Sequence, residues 1–124
     1  MTARIVVLEE SFESATLLAG LLTHAGFEAR AATTAAEARS VMNESAPERV
    51  LLLVSSTWAA SLGPSFNELL GHDPHPRVVF TCTQPATCPL FPGLLCVGLG
   101  CLRKPWDFVY PDLVSHLNRL LAQP

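Results

Sequence analysis

Cys82, Cys88, Cys96 and Cys101 are the first residues that could do chemistry, as redox thiols or soft metal ligands. Their spacing argues against both. Five, seven and four residues separate successive cysteines, so the Cys-x-x-Cys pairs that mark zinc sites are missing. In a reducing compartment such cysteines serve more often as small buried apolar groups. A cysteine-based redox or metal sensor stays open as an alternative, with Cys82 and Cys101 expected at matching heights on neighbouring strands. His24, His72, His75 and His116 are scattered, and His72-Asp-Pro-His75 reads as a polar loop. Ser55, Ser56 and Thr57 are hydroxyls that a serine kinase could modify, although such runs are ordinary loop composition. No nucleophile–base pair stands out, so the chain is read as a non-enzyme.

The elements that must position these residues alternate. Arg4 to Leu8 is an apolar run suited to a strand buried on both faces. Ser11 to Ala25 has helical spacing, with Ala15, Leu18, Leu22 and Ala25 on one stripe and Leu17 and Leu21 beside it. Gly26 is a left-handed stop. Phe27 to Ala32 is a second strand. Thr34 and Glu37 form a capping box for a helix reaching about Glu44. Arg49 to Val54 is the most apolar strand, and Ser55 to Pro64 a loop. Ser65 caps a short helix to Leu70. Pro76 to Thr81 and Leu99 to Arg103 are the last strands. Pro111 to Ala122 is the closing helix, with Leu113, Leu117, Leu120 and Leu121 on its buried face. Pro85, Pro89 and Pro92 interrupt the crossover between the fourth and fifth strands, where a helix would repeatedly lose donors. The alternation predicts one α/β domain over residues 1–124, a doubly wound three-layer sandwich on a five-stranded parallel sheet with a degenerate fourth helix.

Ligands of open parallel sheets bind beyond the carboxyl ends of the strands. There the first strand delivers Glu9 and Glu10, the third Leu53 to Ser56, the fourth Thr81 and Cys82, and the fifth Lys104 followed by Pro105. Taken in order, four segments resemble receiver domains of two-component response regulators, the CheY-like superfamily. Arg4 to Glu10 resembles the opening strand with its acid pair. Pro47 to Leu53 resembles the third strand and its preceding Pro-acid. Val78 to Thr81 resembles the fourth strand with its hydroxyl switch, and Leu102-Arg-Lys-Pro-Trp-Asp107 the Lys-Pro-aromatic ending of the fifth.

The resemblance implies tasks for these positions. The acid pair would hold Mg²⁺, which favours carboxylate oxygens in octahedral geometry. An acceptor Asp would end the third strand, and the Thr81 hydroxyl and Lys104 ammonium would contact phosphoryl oxygens. Pro105 would follow a cis peptide bond. The departures are large. In the register of the resemblance Leu53 occupies the acceptor position; a shift of one gives Val54, and a shift of two Ser55. No Asp or Glu lies between Glu48 and Glu68. Glu9 and Glu10 are each a methylene longer than aspartate, so Mg²⁺ binding is expected to be weak or absent, and no cofactor is expected. The pair is more simply placed as strand-end acids, one of them facing Lys104. The aromatic switch position of the family is Cys101 here.

Net charge is −3 and Arg103-Lys104 is the only adjacent basic pair, which argues against direct nucleic-acid binding. The longest uncharged stretches are broken by Ser, Thr, Gly and Pro, so no membrane span is expected. The apolar run closed by two acids is too short for a secretory signal, so a cytoplasmic domain is expected. The expected function is that of a phosphorylation-independent pseudo-receiver in two-component-type signal transduction. It would bind a protein partner, or a second copy, through the fifth strand, the closing helix and the altered crossover. The alternative is the N-terminal receiver of a longer transcriptional regulator. Trp58, Phe66, Phe91, Trp106 and Tyr110 are read either as a partner surface or as cover for the core.

Overall fold

The computed structural model describes residues 3–9, 11–44, 49–55, 64–71, 76–82, 98–103 and 112–122. Its strands are β1 (Ala3–Leu8), β2 (Glu28–Ala32), β3 (Arg49–Ser55), β4 (Arg77–Cys82) and β5 (Gly98–Arg103). Its helices are α1 (Phe12–His24), α2 (Ala35–Asn43), α3 (Pro64–Leu70) and α4 (Asp112–Ala122). All strand pairings are parallel, in the order β2-β1-β3-β4-β5.

Alternation along the strands divides the core into two halves. Val6, Leu8, Leu52, Val54, Val78 and Phe80 pack against Ala38 and Met42 of α2 and Phe66 and Leu69 of α3. Ile5, Val7, Leu51, Leu53 and Val79 pack against Ala15, Leu18, Ala19 and Leu22 of α1 and Leu117 of α4. A sheet buried on both faces explains the unbroken apolar runs of β1 and β3. Helices cover both faces, as the sequence pattern requires.

Local chemistry sets the helix ends. Ser11 caps α1, its hydroxyl accepting from the Ser14 N–H at 3.4 Å. Gly26 follows the helix with φ at +102°, a conformation that a Cβ disfavours. Leu17 and Leu21, expected beside the buried stripe, are exposed; Ala19 takes the inward position instead. Thr34 caps α2 and accepts from the Glu37 N–H at 3.1 Å. The Glu37 carboxylate accepts from the hydroxyls of Thr33 and Thr34, so the return half of the capping box is made to side chains. Thr34→Ala should cost about 1 kcal/mol, read as a lower urea midpoint at unchanged slope.

Pro64 begins α3, so Ser65 lies inside the helix and does not cap it. Phe66 is buried, its ring centroid 5.9 Å from that of Phe80 and tilted by 51°. It is therefore core and no part of a partner surface. The other four aromatics considered with it, and the proline-rich crossover with its expected degenerate helix, lie outside the described residues.

The amino edge of the sheet holds an unexpected charge. Arg4 is only 2% exposed. Its Nε donates to Glu28 Oε1 at 3.0 Å, and its Nη1 donates to the carbonyls of Val41, at 2.8 Å, and Glu44. One guanidinium thus joins β1, the start of β2 and the carboxyl end of α2. Arg30 pairs with Glu44 at 3.0 Å beside it. Arg49 donates to the Leu121 carbonyl and fastens the end of α4 to the start of β3.

Candidate functional site

The strand order reverses between β1 and β3, and the carboxyl end of that junction is where ligand sites form in open parallel sheets. Successive side chains along a strand alternate in direction, so the edge is built in layers. One layer is Val7, Leu53 and Val79. Val7 pairs with Leu53 and Leu53 with Val79, all buried against α1 and α4. Two residues further on, the same face carries Glu9, Ser55 and Thr81. Ser55 pairs directly with Thr81. Leu8 pairs with Val54, so Glu9 and Ser55 follow at one level.

Apolar packing therefore gives way to one carboxylate and two hydroxyls. All three are nevertheless buried, at 6% exposure for Glu9, 5% for Ser55 and 1% for Thr81. Buried polar groups require partners. Thr81 Oγ1 donates to the Val54 carbonyl at 3.4 Å, which turns the hydroxyl back onto β3. The Glu9 N–H donates to the Ala32 carbonyl at 3.4 Å and prolongs the β1–β2 ladder by one bond.

Leu53, assigned to the acceptor position in the sequence register, does not end its strand. It is 1% exposed and lies one layer below Glu9 and Thr81. The residue at their level is Ser55, the last residue of β3 and the alternative two positions along in the sequence register. The apolar run stops at Val54, whereas pairing with β4 continues the strand to Ser55. The signal available in the sequence was the hydroxyl of Thr81, whose level fixes that of its strand neighbour.

β5 carries a further irregularity. Val78 pairs with Gly98, but Phe80 pairs with Cys101, so β5 has one extra residue beside Val79. A bulge at Leu99-Gly100 on an edge strand disrupts further pairing and needs little side-chain room. Its consequence is that Cys101 stands opposite Phe80, and Cys82 opposite Arg103. The two cysteines are not at matching heights. Strand spacing of roughly 4.8 Å and a two-residue offset of roughly 6.6 Å separate their Cα atoms by about 8 Å, beyond the usual disulfide span. Glu10, Lys104, Pro105, Cys88 and Cys96 lie outside the described residues. Among the described residues no group of three metal-ligating side chains occurs, and no helix is long and apolar enough to cross a membrane.

No protein-family model matches the sequence, and neither does any curated protein. Solved structures match over nearly the whole chain. A response regulator from Thermotoga maritima superposes with a TM-score of 0.76 at 15% identity, covering 99% of this chain and 100% of that one. The pseudo-receiver domain of the CikA protein gives 0.65 at 25% identity, covering 98% of both chains. The anti-anti-sigma factor PhyR from Bartonella quintana gives 0.67 at 21% identity, covering 95% of this chain but 46% of PhyR.

Proposed function

We propose that this chain, which has the CheY-like fold of response-regulator receiver domains, is a phosphorylation-independent pseudo-receiver acting through protein–protein contact in two-component-type signalling. The observation that carries the reading is the carboxyl end of β3, Leu53-Val54-Ser55. None of these residues has a carboxylate, and no Asp or Glu lies between Glu48 and Glu68. An acyl phosphate needs a carboxylate oxygen to attack phosphorus. Leucine and valine offer no oxygen, and attack by the Ser55 hydroxyl would give a phosphate ester and not an acyl phosphate. The Thr81 hydroxyl, bonded to the strand backbone, is already committed inside the protein. The likeness to a domain described as a pseudo-receiver supports the same reading.

Contact through β5, α4 and the crossover rests on analogy at the level of the fold. α4 exposes Ser115, Asn118 and Arg119. Among the described residues the large exposed hydrophobics, Phe12, Leu17 and Leu21, all lie on α1. The match to less than half of PhyR supports a second reading, in which the domain is the receiver module of a longer regulator.

The test is a titration with Mg²⁺ and then beryllofluoride, a phosphoryl mimic, followed by amide chemical shifts and thermal melting. Unchanged spectra and an unchanged Tm are expected. A saturable response requiring both reagents would show that a phosphate-like switch survives.

A further inference from the structure

The fold family implies a Mg²⁺ site at this edge, and the residues described here do not fit one. Mg²⁺ takes near-ideal octahedral oxygen coordination and is usually anchored by one or two carboxylates. At the level shared by β1, β3 and β4, the described donors are one carboxylate, Glu9, and the neutral hydroxyls of Ser55 and Thr81. Water has been largely excluded from all three, so the coordinating waters that Mg²⁺ retains would have to displace packed protein.

We infer that Ser55, and not Leu53, stands where a second carboxylate beside Glu9 would be needed for this edge to bind a divalent cation, so that among the described residues the site has one carboxylate. The inference rests on the pseudo-receiver reading and sharpens it. Three observations carry it. Ser55 pairs with Thr81 and follows Val54, the partner of Leu8, so it stands level with Glu9. Its side chain points to the same sheet face as Val7, Leu53 and Val79, and so toward the layer of Glu9 and Thr81. Leu53 is 1% exposed and belongs to the apolar cluster that includes Ile5, Val7, Leu18, Leu51 and Val79. A carboxylate at 53 would be an unpaired charge in hydrocarbon. A carboxylate at 55 would lie beside Glu9, where two like charges favour a cation between them.

The experiment compares Ser55→Asp, Ser55→Asn and Leu53→Asp with the unmodified protein by Mg²⁺ calorimetry and by thermal melting with and without Mg²⁺. Ser55→Asp should melt below the unmodified protein in the absence of metal, because two carboxylates then share a buried edge. Mg²⁺ should restore its Tm by linkage, with affinity at least about tenfold above that of the unmodified protein. Ser55→Asn, similar in shape but neutral, should show no Mg²⁺ response. Leu53→Asp should be unfolded with or without Mg²⁺. The inference is overturned if Ser55→Asp neither binds Mg²⁺ more tightly nor regains stability with it, including the case in which it stays unfolded at saturating Mg²⁺. A Mg²⁺ response from Leu53→Asp would overturn it equally, in favour of the other register. The pseudo-receiver reading fails separately, through a response of the unmodified protein to Mg²⁺ with beryllofluoride.

Discussion

Arg4→Ala is expected to lower the unfolding free energy by about 2–3 kcal/mol, through the loss of charge-assisted hydrogen bonds and of the packing of a long side chain. The network is asymmetric, which is why the arginine is the sensitive member. Arg4 is 2% exposed while its carboxylate partner Glu28 is 46% exposed. Water can solvate Glu28 after the arginine is lost. The carbonyls of Val41 and Glu44 are in a different position, because both close the end of α2 and the guanidinium supplies them with donors. The Val41 carbonyl keeps the Glu44 N–H as a donor, so the larger losses are the charge-assisted bonds themselves and the void left between β1 and α2. Glu28→Gln keeps the shape and half-retains the hydrogen bonds, so it should cost only about 1–2 kcal/mol. Urea denaturation followed by circular dichroism measures both. Since whole domains are stable by only about 5–15 kcal/mol, Arg4→Ala should remove a substantial part of the stability. A loss below about 1 kcal/mol would mean that α2 is held by its apolar face alone.

Nothing in the sequence announced that arginine. It opens an apolar run and reads as the polar boundary of a strand, the usual place for an exposed cation. Its burial follows from the closing of α2 over the start of β1, a contact across 37 residues to Val41 that no local pattern encodes. The sheet itself was legible, because β1 and β3 are apolar without alternation and α1 and α2 carry their own caps. The inward face of α1 was legible only in part. Leu17 and Leu21 are as apolar as Leu18 and Leu22, and composition does not say which pair the sheet will cover. The geometry selects Ala15, Leu18, Ala19 and Leu22, leaving Leu17 78% exposed. The polar layer at the carboxyl edge was legible in its ends, Glu9 and Thr81, and missed in its middle. A serine after an apolar run looks like the start of a loop, whereas pairing with β4 holds Ser55 in the strand. The bulge in β5 was hidden for a similar reason. Gly98 and Gly100 permit a change of register without requiring one, and only the partner strand decides where the extra residue goes.

The level of Leu53 has its own thermodynamic signature. A leucine plugging a former pocket at the mouth of the sheet would border solvent, and its truncation would cost little because water could fill the space. A leucine one layer down, paired with Val7 and Val79 and 1% exposed, cannot be replaced by water. Leu53→Ala removes three carbon atoms from an apolar enclosure that relaxes only partly, so about 2–5 kcal/mol should be lost. Ser55→Ala removes one hydroxyl from a polar layer and should cost about 1 kcal/mol. The order of the two urea midpoints therefore reads the register directly, with no ligand, metal or partner involved. Leu53→Ala well below Ser55→Ala is the expected result. Near-equal midpoints, with Leu53→Ala close to the unmodified protein, would place Leu53 at the mouth and return the acceptor level to it. The same comparison bears on how the domain works. If the midpoints fall in the expected order, the β3 residue level with Glu9 and Thr81 is Ser55, and the proposed pseudo-receiver reading turns on a residue that carries no carboxylate.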